Sequence, residues 1–208
     1  MNLPKLYVIA DAAVLRRRGV ELRDFCLELR SAGVGLVQWR DKDGSPQEVL
    51  AGAAVVREVF AGSECRLVMN DRADLAVLAG FSGVHVGQGD VLPEDVRRVM
   101  GASGLIGVST HTETQVVVAE AGGADYVAIG PVFATGTKAD AEAVVGLEGV
   151  RRARALTGKP LVAIGGITRE NARSVLEAGA DSVAVISGLF AAGESVAQVV
   201  GDFLEKLR

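Results

Sequence analysis

The chain has only two cysteines in 208 residues, Cys26 and Cys65, distant from each other and with no C-x-x-C or Cys/His cluster around either. Neither a disulfide framework nor a zinc site is indicated, and both are expected to be reduced core thiols of a cytoplasmic protein. Aromatic residues are also scarce, at 4% of a chain that is 49% hydrophobic. Its core must be built from Val, Ala and Leu. Basic charge is in deficit, with 22 Lys and Arg against 26 Asp and Glu for a net charge of −4. That balance gives no global positive field and argues against nucleic acid or an anionic membrane as a partner. Any anion site has to be local. Long apolar runs are absent, and Met1 to Ala10 passes into a strand-like run without a signal-type region, so the expectation is a soluble protein that is not exported.

What the chain does have is alternation. Short β-branched runs at Leu6 to Ala10, Gly35 to Arg40, Leu67 to Asn70, Gly83 to Val86, Leu105 to Val108, Tyr126 to Ile129, Leu161 to Ile164 and Ser182 to Ile186 predict eight strands. Segments of helical period lie between them at Glu21 to Ser31, Pro46 to Phe60, Arg72 to Ala79, Pro93 to Met100, Glu113 to Ala121, Gly146 to Leu156, Arg169 to Glu177 and Ser195 to Leu207. Gly123-Ala124-Asp125-Tyr126-Val127-Ala128 returns as Gly179-Ala180-Asp181-Ser182-Val183-Ala184, each copy a helix end running into a buried strand. With no linker or low-complexity stretch, these units predict one domain, residues 1–208, of α/β class: a (β/α)8 TIM barrel. An open doubly wound sheet is the alternative.

In the stretch Val37-Gln38-Trp39-Arg40-Asp41-Lys42 an apolar run ends in an amide, a guanidinium and an ammonium. Side chains alternate along a strand, so Gln38, Arg40 and Lys42 share one face. Barrel enzymes place their chemistry past the carboxyl ends of the strands. There the third strand has Asn70 and Asp71, the fourth Gln88 and Asp90, and the fifth Ser109, Thr110 and His111. The sixth is followed by Thr135, Gly136, Thr137 and Lys138, the seventh by Gly165-Gly166 and the eighth by Ser187-Gly188. Glycines at the last two mouths suit a phosphate approaching backbone N–H groups, helped by a helix starting at Thr168 or Ser187; glycine there is also a turn device. Asp71 and Asp90, at adjacent mouths beside Arg40, Lys42 and Lys138, suit Mg²⁺ shared with a polyphosphate. Alternatively Asp71 caps the helix that follows and Asp90 is a loop residue. His85 is expected to point inward as a structural residue, and His111 either contacts ligand or caps the next helix. The clusters Arg16-Arg17-Arg18, Arg97-Arg98 and Arg151-Arg152-Arg154 are expected on solvated faces. No Ser-His-Asp or Cys-His arrangement is visible, so nucleophilic hydrolysis is not favoured.

Together these motifs resemble thiamine phosphate synthase, also called thiamine phosphate pyrophosphorylase, of the synthase/TenI superfamily. VQWRDK resembles that family's Q-x-R-x-K, followed by MND at Met69 to Asp71, GVHVGQGD ending at Asp90, GVSTHT at Gly107 to Thr112, GPVFATGTK ending at Lys138 and VAIGGI at Val162 to Ile167. Trp39 and Asp41 depart from the family's aliphatic residue and Glu. The resemblance implies a transferase that joins 4-amino-2-methyl-5-hydroxymethylpyrimidine diphosphate to 4-methyl-5-(2-hydroxyethyl)thiazole phosphate, giving thiamine phosphate and pyrophosphate. It implies that Gln38, Arg40, Lys42, Asn70, Ser109 and Lys138 hold the diphosphate substrate, with Arg40, Lys138 and Ser109 as the catalytic members. Asp71 and Asp90 would bind Mg²⁺, and Thr135 to Thr137, Gly165, Gly166, Ile186 and Ser187 would hold the thiazole phosphate. The implied mechanism is dissociative, pyrophosphate leaving before the thiazole nitrogen attacks. A TenI-type thiazole tautomerase and a non-catalytic phosphate sensor are the other readings, and a homo-oligomer is left open.

Overall fold

The computed structural model describes residues 2–136 and 143–208. Eight strands, β1 (Leu6–Asp11), β2 (Leu36–Arg40), β3 (Arg66–Asn70), β4 (Gly83–Val86), β5 (Leu105–Thr110), β6 (Tyr126–Ile129), β7 (Leu161–Ile164) and β8 (Ser182–Val185), pair in chain order, and β8 closes in parallel on β1. The sheet is therefore a closed parallel barrel, and the open-sheet alternative falls. Around it among the described residues run α1 (Ala12–Arg18), α2 (Leu22–Ser31), α3 (Pro46–Val59), α4 (Ala73–Ala79), α5 (Pro93–Met100), α6 (Glu113–Ala121), α7 (Gly146–Leu156), α8 (Ala172–Glu177) and α9 (Val196–Lys206). None of these is long and apolar enough to cross a membrane.

Local chemistry explains where the helices start. Ser45 with Glu48, Thr112 with Gln115 and Ser195 with Gln198 form reciprocal capping boxes at α3, α6 and α9. The helix that periodicity does not predict, α1, is only seven residues long and begins at Asp11, whose side chain accepts from the Val14 N–H at 2.9 Å. Conversely, the helix expected from Arg169 begins at Ala172, because Thr168 to Asn171 form a turn instead.

Strand parity sorts the core into two shells. Outward residues such as Val8, Val37, Met69, Val84 and Val127 pack under the helices. Inward residues, among them Tyr7, Leu36, Val68, Leu105, Tyr126 and Val162, fill the barrel. With so few aromatics the work falls to branched aliphatics, each contributing about 1.5–3 kcal/mol when fully buried. Inside, Gly107 faces Tyr126 so closely that a Cβ would lie 1.9 Å from the ring. Glycine here makes the slot that the tyrosine fills.

The repeated Gly-Ala-Asp motif has a physical explanation at the amino-terminal end of the barrel. Asp125, just before β6, accepts from the Ile106 N–H (2.7 Å) and from Arg97 of α5 (2.6 Å). Asp181, just before β8, accepts in the same way from the Leu161 N–H (2.8 Å) and from Arg154 of α7 (2.8 Å). Each carboxylate thus ties a helix to the start of the neighbouring strand. Arg97 and Arg154 are consequently half-buried staples, contrary to the solvated role expected for their clusters.

Candidate active site

At the carboxyl-terminal end of the strands lies a cavity of about 110 Å³ whose wall includes Gln38, Arg40 and Lys42 from the β2 end, and Asn70 and Asp71 from the β3 end. Asp90, Ser109, His85 and His111 complete its polar side, and Ile9, Ile164 and Ile186 give it an apolar one. Parity accounts for the convergence. The parallel register sets Ile9 beside Gln38, Asn70 beside His85 and Ser109 beside Ala128, all facing inward.

The charges in this cavity are unevenly matched. Arg40 forms an ion pair with Asp11, whose other oxygen caps α1, so the guanidinium is braced from behind by a buried carboxylate. Lys42 reaches to within 3.8 Å of Asp71 and stays largely exposed. Asp71 and Asp90 line the same wall, and burial together with the neighbouring Asp90 carboxyl pushes Asp71 up to about 6. Asp71 is also the one non-glycine residue with positive φ (59°) among the described residues. Its N–H donates to His85 O at 2.8 Å, which holds that conformation in place. An aspartate kept in a sparsely populated backbone region beside a second carboxylate is the kind of local strain that collects at functional sites. Asp90 accepts from the Gly87 N–H at 2.7 Å, which fixes its loop.

Two carboxylates in one wall have the donor chemistry that a hard divalent cation takes. Among the described residues no group of three His, Cys, Asp or Glu stands together. Asp71 and Asp90 are the two carboxylates that the described residues bring to this wall.

Comparisons with known proteins give the family. Residues 6–189 match the family described as thiamine monophosphate synthase. The thiamine-phosphate synthase of Koribacter versatilis is 50% identical over 191 residues, 91% of this chain and 90% of that protein. That of Chloroflexus aurantiacus is 40% identical over 193 residues, 93% of this chain and 88% of that protein. The chain belongs to this family. Among solved structures, the thiamine phosphate pyrophosphorylase from Pyrococcus furiosus superposes with a TM-score of 0.84 at 32% identity, covering 98% of this chain and 95% of the other. A native KDPGal structure, at TM-score 0.73 and 18% identity over 99% of this chain and 97% of its own, is similar in fold alone.

Of the site residues expected from sequence, Gln38, Arg40, Lys42, Asn70, Asp71, Asp90, Ser109 and Ile186 share the one cavity. Thr135, Gly136, Gly165, Gly166 and Ser187 are not in its wall, and Thr137 and Lys138 lie outside the described residues. Several local readings need correction. The cap of α6 is Thr112, not His111; the carbonyl of Gly130 holds the His111 ring at Nδ1 (2.6 Å), and a carbonyl only accepts, so Nδ1 carries the proton. Asp71 caps nothing, since α4 starts after Arg72 without a side-chain cap. Ser187 begins a single 3-10 turn, and Thr168 donates its N–H to the Asn171 side chain at 2.8 Å, so neither opens an α-helix.

Glycine at 166 has a second cause besides any phosphate. A Cβ there would lie 2.7 Å from Ala134 O and 2.8 Å from Phe133 Cβ, at a backbone φ of 63°. The loop after β6 packs directly on the loop after β7, with Phe133 N–H donating to Gly165 O at 2.9 Å. Asn171, which donates to Gly166 O at 3.0 Å, and Asp11 are among the residues here that sequence reasoning passes over. For Asp11 a signal existed in its inward parity with Tyr7 and Ile9.

Proposed function

We propose that this chain joins 4-amino-2-methyl-5-hydroxymethylpyrimidine diphosphate to 4-methyl-5-(2-hydroxyethyl)thiazole phosphate, releasing pyrophosphate and forming thiamine phosphate. Family membership supports the reaction. The observation that carries the division of labour is the meeting of Arg40 and Lys42 with the neighbouring carboxylates of Asp71 and Asp90 in one cavity. Breaking the carbon–oxygen bond ahead of attack leaves the pyrophosphate with developing negative charge, and stabilising that charge is the main electrostatic task. Arg40, braced by Asp11, supplies a preoriented cation, and Lys42 a mobile one. Asn70 and Ser109 add hydrogen-bonding groups to the same wall. Asp71 and Asp90 would hold Mg²⁺, which when bound neutralises part of the diphosphate charge. Lys138 joins the diphosphate group of residues on the strength of the resemblance.

The apolar side formed by Ile9, Ile164 and Ile186 suits the flat faces of the two heterocycles. The thiazole phosphate is assigned to Thr135, Gly136, Thr137, Gly165, Gly166 and Ser187, next to Ile186. The test is direct: incubation with both substrates and Mg²⁺, following thiamine phosphate. Turnover that needs the metal supports the reading. Thiazole tautomerisation without coupling replaces it with the isomerase, for which His111, in the cavity wall, is the group to examine.

A further inference from the structure

We propose that Gln38, Tyr7 and Tyr126 form a directional hydrogen-bond relay that holds His85 in its Nε2–H tautomer, leaving the Ser109 hydroxyl proton free to donate to a ligand oxygen in the cavity. The relay crosses the barrel from wall to wall. Gln38 Nε2 donates to Tyr7 Oη at 2.7 Å, Tyr7 Oη meets Tyr126 Oη at 3.0 Å, and Tyr126 Oη meets His85 Nδ1 at 2.9 Å. His85 Nε2 then meets Ser109 Oγ at 2.8 Å. Gln38, Tyr7 and Tyr126 are at most 2% exposed and His85 is 9% exposed, so bulk water does not replace these partners.

Direction follows from the chemistry of the first link. An amide N–H can only donate, so Tyr7 Oη accepts it and points its own proton at Tyr126. Tyr126 in turn points its proton at His85 Nδ1, which must be bare. The ring proton therefore sits on Nε2 and is donated to Ser109 Oγ. Burial raises both phenols above their ordinary range, so each keeps the proton that this alternation requires. Ser109 then accepts with a lone pair and retains its own proton for the cavity it lines. With the relay reversed, Ser109 would give that proton to His85 and turn only lone pairs toward an anion. Gln38, Tyr7, Tyr126 and His85 are in this respect positioning residues that act through Ser109. The identity of the acceptor as a diphosphate oxygen rests on the proposed function; the tautomer does not.

The experiment is ¹⁵N NMR of His85 in the free, full-length protein, above the ordinary histidine range of about 6.5. Wild type is expected as a single Nε2–H tautomer. Gln38→Glu replaces the donor at the relay's head by a carboxylate that only accepts, which should reverse every link and convert His85 to Nδ1–H. In the double variant Gln38→Glu with Tyr126→Phe, residue 38 is disconnected, and the His85 spectrum should match that of Tyr126→Phe alone. An Nδ1–H wild type, or a Gln38→Glu spectrum that is unchanged or doubly protonated, overturns the relay. If Gln38→Glu fails to fold, Tyr7→Phe cuts the same chain and should give a tautomer mixture; a single Nε2–H tautomer there also overturns it. Kinetically, Tyr126→Phe keeps the ring in the Gly107 slot and should raise KM for the pyrimidine diphosphate roughly tenfold, the scale of one oriented hydrogen bond, with KM for the thiazole phosphate unmoved. Equal shifts in both, or none, contradict the step from tautomer to donor. Because the tautomer is read without substrate, the relay is judged separately from the coupling assay.

Discussion

The two ends of the barrel use the same residue types, arginine and aspartate, to opposite effect. At the amino-terminal end Asp125 and Asp181 each meet a backbone N–H and a guanidinium. Their charges are matched within the fold. At the carboxyl-terminal end Asp11 and Arg40 are matched in the same manner, but Asp71 and Asp90 are neighbours in one cavity wall, and Lys42 stands 3.8 Å from Asp71. The difference teaches where to look for function: complete pairing stabilises, and incomplete pairing in a cavity leaves a site that a ligand must complete.

The comparison breaks most sharply at Asp90. Asp90→Asn keeps an acceptor for the Gly87 N–H but deletes a charge, and should lower the coupling rate by on the order of 10²-fold or more, the scale for losing a preorganised charge stabiliser. Its stability should stay within about 1 kcal/mol of wild type by denaturant titration, as for a substitution that leaves no buried group unsatisfied. At the other end the prediction is reversed. Asp125→Ala strands the Ile106 N–H and the Arg97 guanidinium and should cost about 2 kcal/mol of stability, while both KM values remain unchanged.

Asp11→Asn tests the buried matched pair Asp11–Arg40 at the catalytic end. The amide can still cap α1, but it no longer offsets the Arg40 charge or fixes its direction. About a tenfold loss in kcat/KM for the diphosphate substrate is expected, equivalent to ~1.4 kcal/mol; a fall in stability with unchanged kcat/KM would make Asp11 a fold residue like Asp125. The smallest effect is on pH. Since Asp71 is held up to about 6 in the metal-free protein, a cation has to displace its proton below that value. Mg²⁺ affinity by calorimetry should be nearly flat above pH 7 and fall by about tenfold per unit once pH drops well below 6. In Asp90→Asn the raised value should relax downward and the pH dependence shift with it.

Much of this was legible in the sequence, for reasons that particular residues illustrate. Gln38, Arg40 and Lys42 alternate along β2, so their common face follows from strand geometry, and eight separate β-branched runs gave the barrel. Asp71 and Asp90 follow adjacent strands and meet as expected. Asp11 was missed because its importance lies in a partner 29 residues away and in a short helix without a strong period. The Tyr7, Tyr126 and His85 contacts need the closed register of strands that are not neighbours, which one-dimensional pattern does not contain. For Gly166 the sequence suggests a phosphate contact or a turn, whereas its tightest constraint is the loop after β6 packed against it.

The central claim is that the unmatched carboxylates serve a departing diphosphate. The most direct measurement is a coupling assay on wild type and Asp90→Asn, with Mg²⁺ titrated from zero and both thiamine phosphate and pyrophosphate followed. The account predicts stoichiometric formation of the two products in wild type, dependent on Mg²⁺, and loss of most of that activity together with weakened Mg²⁺ dependence in Asp90→Asn. Coupling that proceeds equally in the variant, or wild-type protein that isomerises the thiazole without joining it to the pyrimidine, would contradict it.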